Sequence, residues 1–528
     1  MKQQMTNDLF KVAEDSARSG FFLISGTTLA TIILATSAIL IGRFLGPELY
    51  GQYSLTLTIP SLLFLFADLG IDSGVTKFTA SMRAQGATEG RLKDIIRRGL
   101  IIKAIAGITL FAICYAFADE FATLLLQRPE LGFYVRLSSI SILFQVILAN
   151  AISGFVGLDK TEYNALATNV QALGKTISQI ALVLLGFGVA GAVIGHVAGY
   201  IVASIAAAAI LYLLLRGKQT IENYKFKEDF NRLIHYGAPL YVSAIIIGFI
   251  PLYQSFMLAL FATDLDIGNF KASQNFVALL GVLSIPIATA LLPAFSKLDS
   301  THSNSTKRFF RLANKYTSVI VVPITLLFII FSNEMVSIIY ESKYTTAATF
   351  LATYSALYLL VGIGYLTVAS FFNGMGLTRM TLEINLIKFF TVIVLSPLLT
   401  GALNVQGLIL AFIIANLAGT FYGSYNARKN FKVSFDTKSI IKIYVVSSAS
   451  SIPPLILGLA QLPGLFYLII GALMFLLIYI TLIPLTRIMS LTEIQMAAQL
   501  AQRIRPLTII AKPVLKYQEK ILRAFTTA

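Results

Sequence analysis

Residues 464–486 read GLFYLIIGALMFLLIYITLIPLT, a run with no charged side chain. A bilayer core of about 30 Å is spanned by roughly 20 helical residues. The run is continuously apolar rather than alternating, so it is a helix and not a barrel strand, and a helix satisfies its own backbone in lipid. The same pattern recurs along the chain. The expected spans are 21–43, 52–75, 99–118, 133–156, 164–187, 190–215, 233–262, 270–296, 312–332, 346–373, 380–400, 405–427, 440–460 and 464–486. The fold class is therefore an all-α polytopic membrane protein with about fourteen transmembrane helices.

Composition agrees with that class. The 528 residues are 56% hydrophobic and 12% charged, roughly half the charge of an average soluble domain. The first run is not expected to be a cleavable signal. It exceeds a typical signal core, Asp8, Glu14 and Asp15 precede it, and no small-x-small site follows. Cys114 is the single cysteine and lies within a span, so neither an internal disulfide nor a thiolate metal site is expected.

Lysine and arginine set the orientation. With both ends placed in the cytoplasm, the inner segments hold 33 of the 41 basic residues, the outer segments five and the spans three. The expected location is the cytoplasmic (inner) membrane, with cytoplasmic termini. The net charge of +16 then reflects topology and attraction to anionic headgroups, and no nucleic-acid partner is expected.

An internal duplication is visible. Residues 42–53 match residues 259–270 at an offset of 217, pairing Phe44 with Phe261, Gly51 with Gly268, Gln52 with Asn269 and Tyr53 with Phe270. Residues 157–160 match 376–379 at 219, and residues 189–194 match 405–410 at 216. An offset of six spans preserves orientation, so the chain reads as a parallel repeat, a known transporter plan. The expected organisation is a six-helix bundle at 1–215, a cytoplasmic linker at 216–231 and a pseudo-symmetric second bundle at 232–428. Helices 13 and 14 follow at 429–486, then a basic amphipathic tail at 487–528 with Ile494, Ala497, Ala501 and Ile504 on one face.

The stretch 42–77, GRFLGPELYGQYSLTLTIPSLLFLFADLGIDSGVTK, resembles the opening of the polysaccharide-biosynthesis flippases. These are the Wzx-type members of the multidrug/oligosaccharidyl-lipid/polysaccharide exporter superfamily. The G-x-x-x-G-P-x-x-Y-G element, followed by a span and Asp-x-Gly, carries the likeness. It implies a MATE-like transporter that flips a polyprenyl- or dolichyl-pyrophosphate oligosaccharide across the membrane by alternating access. Glycosyltransferases or a polymerase of the same pathway would be partners.

Such a cargo needs a wet cavity with cationic groups, and a charged residue deep in a span is costly enough to be a functional candidate. In span five, Asn164, Thr168, Gln171, Lys175, Ser178 and Gln179 share one helix face. Thr381, Asn385, Lys388 and Thr391 repeat the theme in span eleven. Helix–helix hydrogen bonding could account for Thr and Asn alone, but a mid-span lysine argues for a cavity. Arg43 and Lys271 end or begin spans on the outer side, as phosphate attractors or as interface anchors. Lys103 either lines the cavity or snorkels. Asp68 and Asp72 are spaced for one face of span two, where they bind a coupling Na⁺, exchange a proton, or pair with the basic residues of 77–98. Glu383 is expected to pair with Arg379. Pro60, Pro239, Pro251, Pro286 and Pro293 fall within spans two, seven and eight, as kinks or as ordinary membrane prolines.

Enzymatic chemistry finds little support. There is no phosphate-binding G-x-x-x-x-G-K-[ST] loop. His196, His235 and His302 are scattered, and Asp264-Leu265-Asp266 occupies a short turn. No cofactor, metal or catalytic residue is expected, and the protein reads as a transporter, favoured as a monomer. Two other readings stand beside the flippase. A cation-coupled multidrug antiporter would want a cavity of carboxylates and aromatics. A membrane glycosyltransferase or polysaccharide polymerase would want a sizeable outer loop.

Overall fold

The computed structural model describes residues 2–216, 225–298, 304–502 and 505–526. Among them the secondary structure is helical, with no strand. The chain forms two compact units, Met1–Ala272 with Thr400–Leu408, and Ser273–Leu399 with Ile409–Ala528. Into the first fall α1 (Lys2–Thr56), α2 (Thr58–Ala67), α3 (Ile71–Ala84), α4 (Glu89–Ala116), α5 (Ala118–Leu124), α6 (Gly132–Gly157), α7 (Thr161–Leu182), α8 (Gly188–Leu215), α9 (Phe226–Phe261) and the start of α10 (Asp264–Ser296). The second holds the rest of α10, then α11 (Asn304–Ile330), α12 (Ser332–Tyr340), α13 (Ala347–Ser355), α14 (Thr367–Gly374), most of α15 (Thr378–Phe431), α16 (Thr437–Gly458), α17 (Gly464–Leu485), α18 (Leu491–Gln502) and α19 (Arg505–Thr526).

Ten helical segments among the described residues are long and apolar enough to cross a bilayer, or eleven if the bent pair Ala347–Ile363 and Thr367–Gly374 counts as one span. Three of the ten, Ser25–Ala67, Thr161–Leu215 and Thr378–Phe431, run 43, 55 and 54 residues, which is well beyond one crossing. Each contains non-helical backbone, at Gly46, at Gly186 and Gly188, and at Asn404. The expected fourteen rests on reading each of these as two passes and the bent pair as one. Large side chains face outward along the helices, among them Leu185 at 72% and Leu459 at 82% exposure. That surface suits lipid, not water. The protein is a multi-pass membrane protein.

Several backbone features recur at about the offset expected for the repeat. Gly188 has φ 52 and ψ −131, and Asn404, 216 residues on, has φ 49 and ψ −136. Helices α6 and α14 end at Gly157 and Gly374, and α7 and α15 begin at Thr161 and Thr378, both at an offset of 217. The backbone thus pairs Asp159 with Gly376, both at positive φ, where sequence matching suggests an offset of 219. A ladder of small residues follows. Gly191, Gly195, Gly199, Ala203 and Ala207 recur at offset 216 as Gly407, Ala411, Ala415, Gly419 and Gly423. Small residues every fourth position let helix backbones approach closely. A Cβ on Gly195 would overlap Gln179, and one on Gly199 would press on the backbone of Lys175. The α8 ladder therefore seats α7 tightly.

Helix α9 is tied to the rest of the first unit near both of its ends. Near its start, the fully buried Asp229 accepts from Arg91 and, at 2.6 Å, from Arg98. Lys77 Nζ lies 3.7 Å from the Tyr236 ring centre, and Gly237 meets Gly70 backbone to backbone. After its last turn, Arg128 Nε donates to Asp264 at 2.7 Å, Arg128 Nη2 donates to the Ala262 carbonyl, and Gln52 Nε2 donates to Asp264 at 3.0 Å. There the repeat-related glycines touch: a Cβ on Gly51 would overlap the Asp264 carbonyl, and one on Gly268 the Pro47 carbonyl.

Burial works against the charge on Asp229, but hydrogen bonds and charge from Arg91 and Arg98 outweigh it and hold the carboxyl below its ordinary 3.8. A depressed carboxylate stabilises the fold above its unfolded pKa and ceases to do so as pH falls through the folded one. Asp229→Asn is expected to cost about 3–5 kcal/mol, because it removes the buried carboxylate that pairs with Arg91 and Arg98. Thermal melting in detergent checks this: the deficit relative to wild type should be full at neutral pH and shrink below about pH 4.

In the second unit, α18 packs into the core rather than only against lipid. Ile494 is buried with Ile443, Phe475 and Leu522, and Lys315 on α11 pairs with Glu493 at 2.9 Å. Of the expected tail face, the side chains of Ala497, Ala501 and Ile504 lie outside the described residues.

Candidate functional site

Lys175 and Lys271 line one cavity of about 210 Å³, with Ala38, Ile41, Tyr50, Tyr53, Ser54, Leu57 and Gln179. No carboxylate is among these residues. Lys175 enters from α7, held by the close approach of Gly199, and forms no ion pair or hydrogen bond among the described residues. Lys271 enters from α10 and donates to Ser255 at 3.2 Å. Tyr50 and Tyr53 stack at 6.2 Å beside the Gly51 contact.

The expected stripe on α7 divides into two kinds of residue. Gln179 is consumed by the scaffold: it donates to Tyr53 Oη at 2.7 Å and to the Ala192 carbonyl at 2.8 Å, and it accepts from Ser37. Asn164 is buried, and Thr168 bonds back to the carbonyls of Asn164 and Ala165. Asn169, outside the expected stripe, donates to the Gly26 carbonyl at 3.0 Å, where Gly26 packs on Ala165. Gln171 is half-buried. Bonding to neighbouring helices thus accounts for Gln179, and bonding within α7 for Thr168, while Lys175 lines the cavity.

In the second unit, Lys388 lies 5.4 Å from the Tyr365 ring centre and packs against Gly419. It is not the strict counterpart of Lys175, because the position 217 residues beyond Lys175 is Val392, one turn further along α15. Asn385 is half-buried, Thr381 donates to Asn373 at 2.7 Å, and Thr391 bonds back to Ile387. Glu383 pairs with Arg379 at 3.3 Å and also accepts from Tyr422. Arg43 is exposed on the flank of α1 and is not among the residues lining the Lys175 cavity.

Asp68 and Asp72 do come together, but not on one helical face. Leu69 and Gly70 adopt φ 51 and φ 79 and break span two between α2 and α3. Asp68 then caps α3, accepting from the Asp72 N–H at 3.1 Å. Their cationic partner comes from inside α4 rather than from the basic stretch at 77–98. Lys103 is fully buried, with Nζ 2.5 Å from Asp72 and 3.3 Å from Asp68. It neither snorkels nor sits free in a cavity. The two carboxylates line a separate cavity of about 360 Å³ with Ser61 and Tyr241, and Asp72 Oδ1 is buried without a hydrogen-bond partner.

Sequence reasoning missed the tyrosines at 50 and 53, although both stand in the stretch that carries the family likeness. It also missed the every-fourth small residue on α8, the signal that would have shown which face of α7 is sealed.

This is the fold of membrane flippases and exporters. Lipid II flippase MurJ in an inward closed conformation matches with a TM-score of 0.72 at 16% identity, over 87% of this chain and 97% of that one. An inward-facing multidrug-resistance MATE transporter of the MOP superfamily matches at 0.64 and 16%, over 76% and 94%. A MOP superfamily transporter from Pyrococcus furiosus, described as having a binding pocket of reversed polarity, matches at 0.55 and 16%, over 79% and 95%. No curated protein matches the chain in sequence. Residues 16–299 match the model of the polysaccharide biosynthesis protein family, and the chain belongs to that family. The structural neighbours named above are a flippase and transporters.

Proposed function

We propose that the protein flips a lipid-linked oligosaccharide, carried on polyprenyl or dolichyl pyrophosphate, across the cytoplasmic membrane by alternating access, with both chain ends in the cytoplasm. The observation that carries this reading is the cavity in which Lys175 and Lys271 meet without a carboxylate. Two ammonium groups suit a pyrophosphate, and stacked tyrosines and hydroxyls suit sugar rings. At about 210 Å³ the cavity suits the charged head of such a cargo rather than the whole glycan, so the bundle must open to admit it. A carrier of organic cations would need carboxylates in that wall. Glycosyltransferases or a polymerase would act before and after the flip.

Coupling is assigned to Asp68, Asp72 and Lys103. Fully ionised, this triad has a net charge of −1, and the ammonium already occupies the point between the carboxylates. A Na⁺ would have to displace it, whereas a proton on Asp72 only loosens one ion pair, so proton exchange fits better.

Proteoliposomes containing a fluorescent lipid-linked oligosaccharide and a membrane-impermeant quencher test both statements. Protein-dependent flipping is expected, accelerated by a proton gradient and indifferent to Na⁺, and Asp72→Asn should flip without responding to the gradient. Export of organic cations with no movement of lipid-linked sugar would refute the cargo. A response to Na⁺ alone would refute the coupling.

A further inference from the structure

Helix α19 has two unlike faces. Gln518 and Leu522 are buried and Val514, Leu515 and Ile521 are half-buried, whereas Lys512, Lys516, Lys520 and Arg523 are exposed. These four cations follow one another at intervals of four, four and three, one stripe along the helix. The buried face is pinned: Gln518 Nε2 donates to the Ile480 carbonyl at 3.2 Å, Tyr517 Oη lies 3.1 Å from Thr481 Oγ1, and Leu522 joins the core with Phe475 and Ile494. The stripe therefore cannot roll inward.

Its depth follows from α17. That helix has 22 residues, about 33 Å, which matches a hydrocarbon core of about 30 Å. Ile480 and Thr481 lie about one turn before its end at Leu485. Helix α19 thus rests at the boundary between hydrocarbon and headgroups. Lys516, Lys520, Arg523, Tyr517, Pro513 and Glu519 line a shallow depression of about 580 Å³ there. Glu519 is engaged by Arg523 at 2.6 Å and by Gln495 at 3.1 Å, so the three lysines dominate the open face.

We propose that the α19 stripe is a binding surface for anionic phospholipid headgroups in the leaflet at the C-terminal end of α17. Charge complementarity selects the occupant: exposed ammonium groups at headgroup depth, fixed in direction, meet lipid phosphate before any soluble anion. The proposal is independent of the flipped cargo.

The test uses the full chain, purified in detergent and titrated with phosphatidylglycerol or phosphatidylcholine, with retained lipid read by native mass spectrometry. Wild type is expected to retain phosphatidylglycerol in preference. Lys512→Gln, Lys516→Gln and Lys520→Gln together should weaken that retention on the order of a hundredfold, at about 1 kcal/mol per lysine, with phosphatidylcholine unaffected. The corresponding triple arginine variant should keep it. Should the glutamine variant misfold, hydrogen exchange of wild-type α19 decides: it should slow in phosphatidylglycerol nanodiscs relative to phosphatidylcholine. Equal retention by the glutamine variant, loss in the arginine variant, or unchanged exchange overturns the site.

Discussion

Lys175→Met with Lys271→Met is expected to abolish flipping and, at the same time, raise thermal stability. The two signs have separate causes. Lys175 lies mid-span without an ionic partner among the described residues, and a charged side chain at bilayer depth costs about 2.5–3.5 kcal/mol on insertion scales. Methionine is close in length and removes that cost, so the melting temperature in detergent should rise by several degrees. Transport should fall because each ammonium would contribute a charge-assisted hydrogen bond to pyrophosphate, worth about 1.5–3 kcal/mol. Losing two implies a drop of at least about a hundredfold. A residue kept for packing would behave in the opposite way, with the variant melting lower and its remaining folded fraction flipping normally. Normal flipping by the double variant would remove the cationic cavity from the mechanism. Sequence symmetry suggests Lys388 as the partner of Lys175, whereas the shared cavity names Lys271.

Gly51→Leu should hold the first unit open at one end, and Gly237→Leu should hold it open at the other. A side chain on Gly51 collides with the Asp264 carbonyl, and one on Gly237 collides with Gly70. Both obstacles are backbone and cannot step aside. Overpacking of this kind costs about 1–3 kcal/mol, which shifts a two-state equilibrium by roughly 5- to 150-fold. The reporter is Ala38→Cys in the cavity wall, on a background with the single buried Cys114 replaced. Impermeant maleimide should reach it from the Asp264 side in Gly51→Leu, from the Asp229 side in Gly237→Leu, and slowly from either side otherwise. Both variants should flip poorly, since a cycle that cannot close one end cannot alternate. Equal labelling of all three proteins would show that these contacts do not govern access.

The two glycine contacts show what could be read early. Gly51 and Gly268 stand out in the sequence as a repeat-related pair, and the fold brings them together. Each packs against backbone close to the other, Gly51 on Asp264 and Gly268 on Pro47. Gly70 and Gly237 have no such relation. Their approach depends on the Leu69–Gly70 break, which one-dimensional periodicity reads straight through as one span.

Residues 464–486 are decisive on their own because lipid leaves the backbone a single economical solution, so apolar length alone dictates a helix. The basic connectors set an expected topology for a similar reason, since charge near a span end is sorted before tertiary packing exists. Side-chain partnership is different, because it depends on which helices touch. Lys103, Lys175 and Lys388 are alike as mid-span lysines in the sequence. Only the tertiary structure separates them, neutralising Lys103 between Asp68 and Asp72, setting Lys388 against Tyr365, and leaving Lys175 to face Lys271 across a cavity.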